Sequence, residues 1–316
     1  MANELDTARR RRVGSPILKS DGYTAAAALV RAQFGARSHR GRVPSVNDDH
    51  YLVLRLTQQL ETIVTSLASV DLPSGLPEHA YAAVVADGFG SAGAGSVAAR
   101  LAIGTLAQLA VRFAHWHMRI DPRIAAEVVE RAEWFYHRIH EAVAQRSRAD
   151  AELAGMAAAL TGIYSVGSDL FVAHVGHTRC YIFRDGQLVQ LTRDQTLRER
   201  RAMSPHPIPV GQAIEDAQHI LTDVVGGTDH DPSVNVEHFR LANDDIVLLC
   251  TNGLTDVVDD DAISDVLASR RTQAEQCELL LDTAIANGTE DNATVVIANY
   301  QVAETPADET NEDVGG

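Results

Sequence analysis

Short apolar runs joined by tight turns constrain this chain more than any other feature. Runs of strand length fall at residues 51–56, 81–86, 160–166, 170–175, 180–183, 187–191, 246–251 and 293–300. Gly167-Ser168-Asp169 and Arg184-Asp185-Gly186 separate neighbouring runs closely enough to make two hairpins. Two helical stretches lie between the second and third runs. Residues 94–113 carry alanine and leucine at helical spacing, and Asp121-Pro122 supplies an N-cap and a first-turn proline for the next helix. Ile124, Val128, Ala132, Phe135, Ile139 and Val143 then recur at the three-four spacing of a half-buried helix. A further helix over 272–286 stops at Asn287-Gly288. Hairpin-linked strands with paired helices between them predict an α/β layered fold, an αββα sandwich of two antiparallel sheets flanked by helix pairs.

The 316 residues fit one large layered domain with tails. We place an N-terminal extension, partly disordered, over 1–32, the domain over 33–302 and an acidic tail over 303–316. Within the extension, residues 24–33 read as a short helix. The tail has almost nothing to bury, so it is expected to be disordered. The net charge of −16 argues against general nucleic-acid binding, and the Arg9 to Arg12 run reads as a solvated patch of the extension. Charge or glycine interrupts the apolar runs before the roughly 18 residues of a membrane span, and no signal-peptide pattern opens the sequence. The expectation is therefore a soluble, cytoplasmic protein. Cys180, Cys250 and Cys277 lack any CxxC spacing and read as small buried hydrophobes.

Carboxylates at strand ends carry the chemistry. Asp87 closes the apolar run at 82–86 and is followed by Gly88, Gly90, Gly93 and Gly95. Such a turn presents a carboxylate and a bare backbone carbonyl to one ion, the oxygen ligands that hard divalent cations take. Asp291 stands just before the last strand, and Asp48 and Asp49 just before the first. Taken singly, each aspartate reads more simply as a turn or cap residue.

The order of the segments changes that weighting. Phe34-Gly-Ala-Arg-Ser-His-Arg-Gly-Arg-Val-Pro-Ser-Val-Asn-Asp-Asp49 is similar to the opening strand and Gly…Arg…Asn-Glu-Asp motif of the PPM-type (type-2C) metal-dependent serine/threonine protein phosphatases, bacterial type. Val85-Ala-Asp-Gly-Phe-Gly-Ser-Ala-Gly-Ala-Gly-Ser-Val-Ala98 resembles that family's Ala-Asp-Gly-Met-Gly-Gly-His signature. Leu170-Phe-Val-Ala-His-Val-Gly-His-Thr-Arg-Cys-Tyr-Ile-Phe-Arg-Asp-Gly186 resembles the stretch around Val-Gly-Asp-Ser-Arg. Leu248-Leu-Cys-Thr-Asn-Gly-Leu-Thr-Asp-Val-Val258 resembles Ser-Asp-Gly-Leu-x-Asp, and Glu290-Asp-Asn-Ala-Thr-Val-Val296 the closing Asp-Asn-x-Thr-Val-Val. Each piece is weak alone; five in order over residues 34–302 are specific.

The resemblance implies two Mn²⁺ or Mg²⁺ ions between the sheets, and hydrolysis of phosphoserine or phosphothreonine by an activated water without a covalent intermediate. It implies that Asp87 bridges both ions, with the Gly88 carbonyl and Asp291 as further ligands. By the same resemblance Asp48 would act through metal-bound water, with Asp49, Asn292 and His177 in support of the ligands. The implied partner is a phosphorylated protein, the substrate of a serine/threonine kinase.

Departures from the pattern cluster on the chemistry. Pro44 stands where the family carries a phosphate-gripping arginine, which leaves Arg40 and Arg42 as the phosphate-binding candidates. Asn252 replaces a metal-ligating aspartate, and its amide oxygen can coordinate without the charge. His177 replaces an aspartate tied to a third metal, and imidazole favours softer ions than Mg²⁺, or no ion. Gly155-Met-Ala-Ala-Ala159 lacks a threonine pair, Gln195 replaces a histidine, Asp223 stands where arginine is usual, and the flap between Leu197 and Leu221 is short. Two readings follow: a phosphatase, weakened or not, and a catalytically silent pseudophosphatase that binds phosphoproteins or regulates.

Other candidates carry less. His115, His117, His137 and His140 lie on or beside helices and read as surface histidines, although His137 and His140 have an i, i+3 spacing. Trp134, Phe135 and Tyr136 point in different directions and read as packing. Gly88-x-Gly90-x-x-Gly93 has dinucleotide-loop spacing without the acidic residue a nucleotide fold needs. No Gly-x-Ser-x-Gly elbow surrounds Ser91 or Ser96.

Overall fold

The structure, a computed structural model, describes residues 29–57, 79–91, 93–113, 120–203 and 220–303. Its strands are β1 (Leu29–His39), β2 (His50–Thr57), β3 (His79–Phe89), β4 (Ala157–Val166), β5 (Asp169–Val175) and β6 (Arg179–Arg184). They continue with β7 (Gln187–Gln190), β8 (Val225–Gly226), β9 (Asn235–Arg240), β10 (Asp245–Cys250) and β11 (Ala293–Ala303). The helices are α1 (Ala94–Phe113), α2 (Pro122–Ala149), α3 (Leu197–Ala202), α4 (Asn252–Thr255), α5 (Asp260–Ala268) and α6 (Gln273–Ala286). One antiparallel sheet runs β1-β11-β10-β6-β7; the other runs β2-β3-β4-β5-β9, with β8 on the start of β4.

Three apolar layers follow from the period-two pattern of the strands. Val85, Ile163 and Val172 of one sheet meet Ile182, Leu249 and Val296 of the other. The outward residues of β3 and β4, such as Val84, Ala86 and Leu160, pack on Ala98, Ala102, Ile139 and Val143 of α1 and α2. On the far side, Leu248, Val295 and Ile297 pack on Ile263, Leu280 and Ala284 of α5 and α6. The predicted αββα sandwich is present. Both expected hairpins form, β4–β5 and β6–β7, with Gly167 and Asp185-Gly186 at positive φ in their turns. Asp121 caps α2 by accepting from Ile124 N–H at 2.8 Å, and Thr272 with Glu275 forms a capping box on α6.

Several sequence expectations need correction or addition. The helix expected over 24–33 is β1 from Leu29 onward, with 24–28 outside the described residues. Alanine-rich sequence favours helix locally, but Val30, Ala32, Phe34 and Ala36 all face the inter-sheet core once β1 pairs with β11 along eleven residues. β9 escaped notice because an edge strand keeps polar residues, Asn235, Glu237, His238 and Arg240 among them. α5 also went unread. Finally, α1 is long and apolar enough to cross a membrane by length and composition, since only Arg100 and Arg112 interrupt it. In the fold its small-residue stripe, Ala94, Ala98, Ala99 and Ala102, is buried against β3 and β4. Ala303, expected to begin the tail, ends β11 instead, paired with Leu29; residues 304–316, the rest of the extension and most of the flap lie outside the described residues, as do His115 and His117.

Candidate functional site

The site forms where β3 ends. Asp87 lies opposite Ala159 of β4, and the chain then turns through Gly88 and Phe89 into α1. The α1 N-terminus presses directly on the strand. A Cβ on Gly88 would stand 2.0 Å from the Gly95 carbonyl oxygen, so this approach requires glycine. The same contact brings the Asp48 loop against α1: Ser96 N–H donates to Asp48 Oδ1 at 2.8 Å.

Asn292 ties that loop to β11. Its Oδ1 accepts from Asp48 N–H at 2.7 Å, and its Nδ2 donates to the Arg40 carbonyl at 2.6 Å and the Val46 carbonyl at 3.3 Å. Gly41, at φ +75°, lets the loop pass over Asp291, whose carbonyl a Cβ there would meet at 2.0 Å. Asp49 is buried and accepts from the Thr251 hydroxyl at 2.7 Å, and Thr251 in turn accepts from Thr294 N–H at 2.9 Å. Asn252 opens α4 directly after Thr251, and its Nδ2 donates to Asp256 Oδ2 at 3.2 Å.

Burial raises the pKa of Asp87 well above the carboxylate range, and the charges of Asp49, Asp291, Asp48 and Asp256 raise it further. Asp49 is raised to about 7, first by burial and then by Asp291 and Asp48, against the lowering effect of its hydroxyl donors. Asp48 is raised by burial, partly offset by the Ser96 N–H bond. Asp87 Oδ2, Asp49 Oδ1 and Asn252 Oδ1 are buried without a hydrogen-bond partner. Such oxygens are costly in a dry interior.

The predicted residues Asp48, Asp49, Asp87, Gly88, Asn252, Asp291 and Asn292 thus come together. His177 joins them, with Nε2 3.7 Å from Asp87 Oδ2. Arg40 and Arg42 stand on the adjoining loop, but Arg40 donates to the Ser45 carbonyl at 3.3 Å and Arg42 Nη1 lies 3.6 Å from the point where a Gly288 Cβ would sit. Sequence reasoning missed Asp256; its place four residues after Asn252, at the end of one helical turn, was the available signal. It also missed Gln195 as a clamp. Gln195 Oε1 accepts from Gly176 N–H at 2.8 Å, its own N–H donates to the Gly176 carbonyl at 2.7 Å, and Nε2 donates to the Ser233 carbonyl at 2.7 Å. Asp223, odd in the sequence, accepts from Ser233 N–H at 2.9 Å.

Of the helical histidines expected at the surface, His137 is half-buried and His140 departs from the expectation. His140 is buried, and its Nδ1 accepts from Gly226 N–H at 3.1 Å on β8, away from the acids. All three cysteines are buried and free, and burial pushes the Cys250 and Cys277 thiols up to about 12. Phe135 and Tyr136 pack in the interior, whereas Trp134 is exposed and meets Phe113 edge-on at 5.3 Å.

A two-sheet sandwich that gathers aspartates at its strand ends defines the class of site: a cluster of oxygen donors of the kind hard cations take. The chain belongs to the protein phosphatase 2C family, whose model matches residues 73–287. It is 29% identical over 215 residues to the serine/threonine protein phosphatase PstP of Mycobacterium tuberculosis, covering 68% of this chain and 39% of PstP. It therefore spans about two fifths of that relative's length. The serine/threonine phosphatase Stp of Listeria monocytogenes is 26% identical over 227 residues, covering 71% of this chain and 86% of that protein. The catalytic domain of PstP in complex with two manganese ions superposes with a TM-score of 0.62 at 26% identity, covering 86% of this chain and 99% of that one.

Proposed function

We propose that this chain is a metal-dependent phosphatase acting on phosphoserine and phosphothreonine in proteins. The observation that carries the proposal is the gathering of Asp48, Asp49, Asp256 and Asp291 around Asp87, whose Oδ2 is buried without a hydrogen bond. Mutually repelling buried carboxylates must either take up a proton or meet a cation, and oxygens left without a hydrogen bond are suited to the second.

The residues fit Mn²⁺ or Mg²⁺. Their donors are oxygens: the Asp87, Asp48 and Asp291 carboxylates, the Gly88 carbonyl and the Asn252 amide. Among the described residues no three His, Cys, Asp or Glu side chains already converge as a finished metal cluster. Carbonyl, amide and water oxygens would complete the shell, as is usual for Mg²⁺. Bound there, such cations supply positive charge for a phosphoryl group and make a water more acidic.

The chain's own residues do the rest. Asp87 and Asp291 hold the negative charge that fixes cation position, with Asn252 contributing an uncharged oxygen. Asp48, fixed by Ser96 and Asn292, orients water at the rim, and Asp49 holds the Thr251 end of β10 in place. Arg40 and Arg42, on the 40–46 loop that Asn292 ties down, offer guanidinium groups for a substrate phosphate once Arg40 releases Ser45. A protein kinase substrate and a cytoplasmic setting belong to the same reading.

The test is hydrolysis of a phosphothreonine peptide with Mn²⁺, compared with Asp87→Asn and Asp291→Asn. Metal-dependent turnover lost in both variants supports the proposal. Purified wild type that binds Mn²⁺ but releases no phosphate above the variants would overturn it and leave the silent, phosphoprotein-binding reading.

A further inference from the structure

His177 is the one nitrogen ligand type that approaches Asp87 among the described contacts of that carboxylate. Its Nε2 stands 3.7 Å from Asp87 Oδ2, with both side chains at most 10% exposed. That separation is too long for a hydrogen bond. It lies inside the ~4.3 Å that two atoms can span when both bind one first-row ion at His-nitrogen and carboxylate-oxygen distances.

The turn that carries the imidazole is rigidly built. Gly176 adopts φ +102°, and a Cβ there would meet the Ala159 side chain at 2.4 Å, so the turn is pressed onto the residue that pairs with Asp87. Gln195 clamps both peptide groups of Gly176. On the other side, Thr178 Oγ1 bonds Thr161 Oγ1 at 2.6 Å. The His177 ring itself meets Phe89, two residues beyond Asp87, at a centroid distance of 5.5 Å and 62°. A side chain held by its turn, its neighbour ring and the half-buried Gln195 clamp is pre-organised to ligate.

Resting on the metal-dependent reading above, we infer that His177 donates an imidazole nitrogen to the cation held by Asp87. The centre is then a mixed nitrogen–oxygen site that selects a transition ion such as Mn²⁺ over Mg²⁺. Imidazole suits first-row transition ions, whereas Mg²⁺ takes oxygen ligands and keeps its water.

The test loads the full chain with Mn²⁺ and records electron spin-echo modulation. Coupling to a ¹⁴N nucleus is expected in the wild type, absent in His177→Ala and His177→Asp, and retained in His50→Gln. His50 is the control because its ring also lies at the rim, 3.0 Å from Ser96 Oγ. Competition of Mg²⁺ against Mn²⁺, read from the free Mn²⁺ resonance, should show the preference for Mn²⁺ falling by about 10-fold in His177→Asp. Wild-type protein that binds Mn²⁺ without ¹⁴N coupling would overturn the inference and leave the proposed function standing. So would coupling that survives His177→Ala and disappears in His50→Gln. Failure of the wild type to bind Mn²⁺ at all would overturn both.

Discussion

The side-chain oxygen of Asn292 accepts a 2.7 Å hydrogen bond from the backbone of Asp48, 244 residues earlier in the chain. The same amide donates to the carbonyl of Arg40. One side chain therefore fixes the acidic loop before β2 to the start of β11, the element that follows Asp291.

Removing that clasp should cost stability as well as geometry. Asn292→Ala strands the Asp48 N–H and the Arg40 carbonyl, both part-buried, so each falls in the lower part of the range of about 1–3 kcal/mol that a stranded group costs. We expect a total loss of about 2–4 kcal/mol in urea unfolding, together with weaker Mn²⁺ binding. A shift below about 0.5 kcal/mol, the size of an ordinary surface change, would show that the clasp is not structural.

Without divalent cations, Asp87 should be a liability. Burial and four neighbouring acids oppose its charge. Asp87→Asn should therefore raise the melting temperature of the metal-free protein by ~4–8 °C. It should also abolish the further rise that Mn²⁺ produces in the wild type. A variant that melts below the metal-free wild type would refute the repulsion.

Asn252→Asp tests the missing charge. A carboxylate there should tighten Mn²⁺ binding by about 10-fold. It should lower metal-free stability, because the present hydrogen bond from Asn252 to Asp256 becomes a repulsion. Calorimetric titration with and without the substitution decides the first point, and thermal melts the second.

The buried histidine of β5 sets a pH dependence of stability. His174 Nε2 meets the Arg193 carbonyl at 3.0 Å and must donate to it, so Nδ1 accepts from the Thr161 hydroxyl at 2.8 Å in the neutral tautomer. Burial lowers its pKa to about 4. Between pH 6.5 and pH 4 the unfolded chain binds a proton that the folded chain refuses. The contribution is thus complete above pH 6.5 and lost as pH falls, by up to ~3 kcal/mol. Urea midpoints of His174→Gln should fall less over that range; equal slopes would exclude His174 as the cause.

The close approach of β3 and α1 makes one glycine indispensable. Gly88→Ala places a methyl 2.0 Å from the Gly95 carbonyl oxygen, where only backbone movement can relieve it. A destabilisation of about 3 kcal/mol is expected, with loss of metal affinity as Asp48 moves with Ser96. Unchanged melting would mean that the two backbones separate freely.

The sequence by itself determined the layers, because a period of two or 3.6 commits each residue to a face before any partner is chosen. Strands β2 to β7, β10 and β11, helices α1, α2 and α6, and the aspartates at strand ends were all legible in that way. Their motif order carried the family as well. Tertiary structure decided what local preference leaves open. It made residues 29–33 a strand, because a full ladder with β11 outweighs alanine's helix propensity. It buried His140 under β8 and set Gln195 on Gly176 through contacts that no spacing along the chain encodes, and it turned the four-residue step from Asn252 to Asp256 into a side-chain contact. It also set His177 within 3.7 Å of Asp87. The distance between two side chains on different strands depends on register and turn geometry, and those are fixed only when both sheets pack.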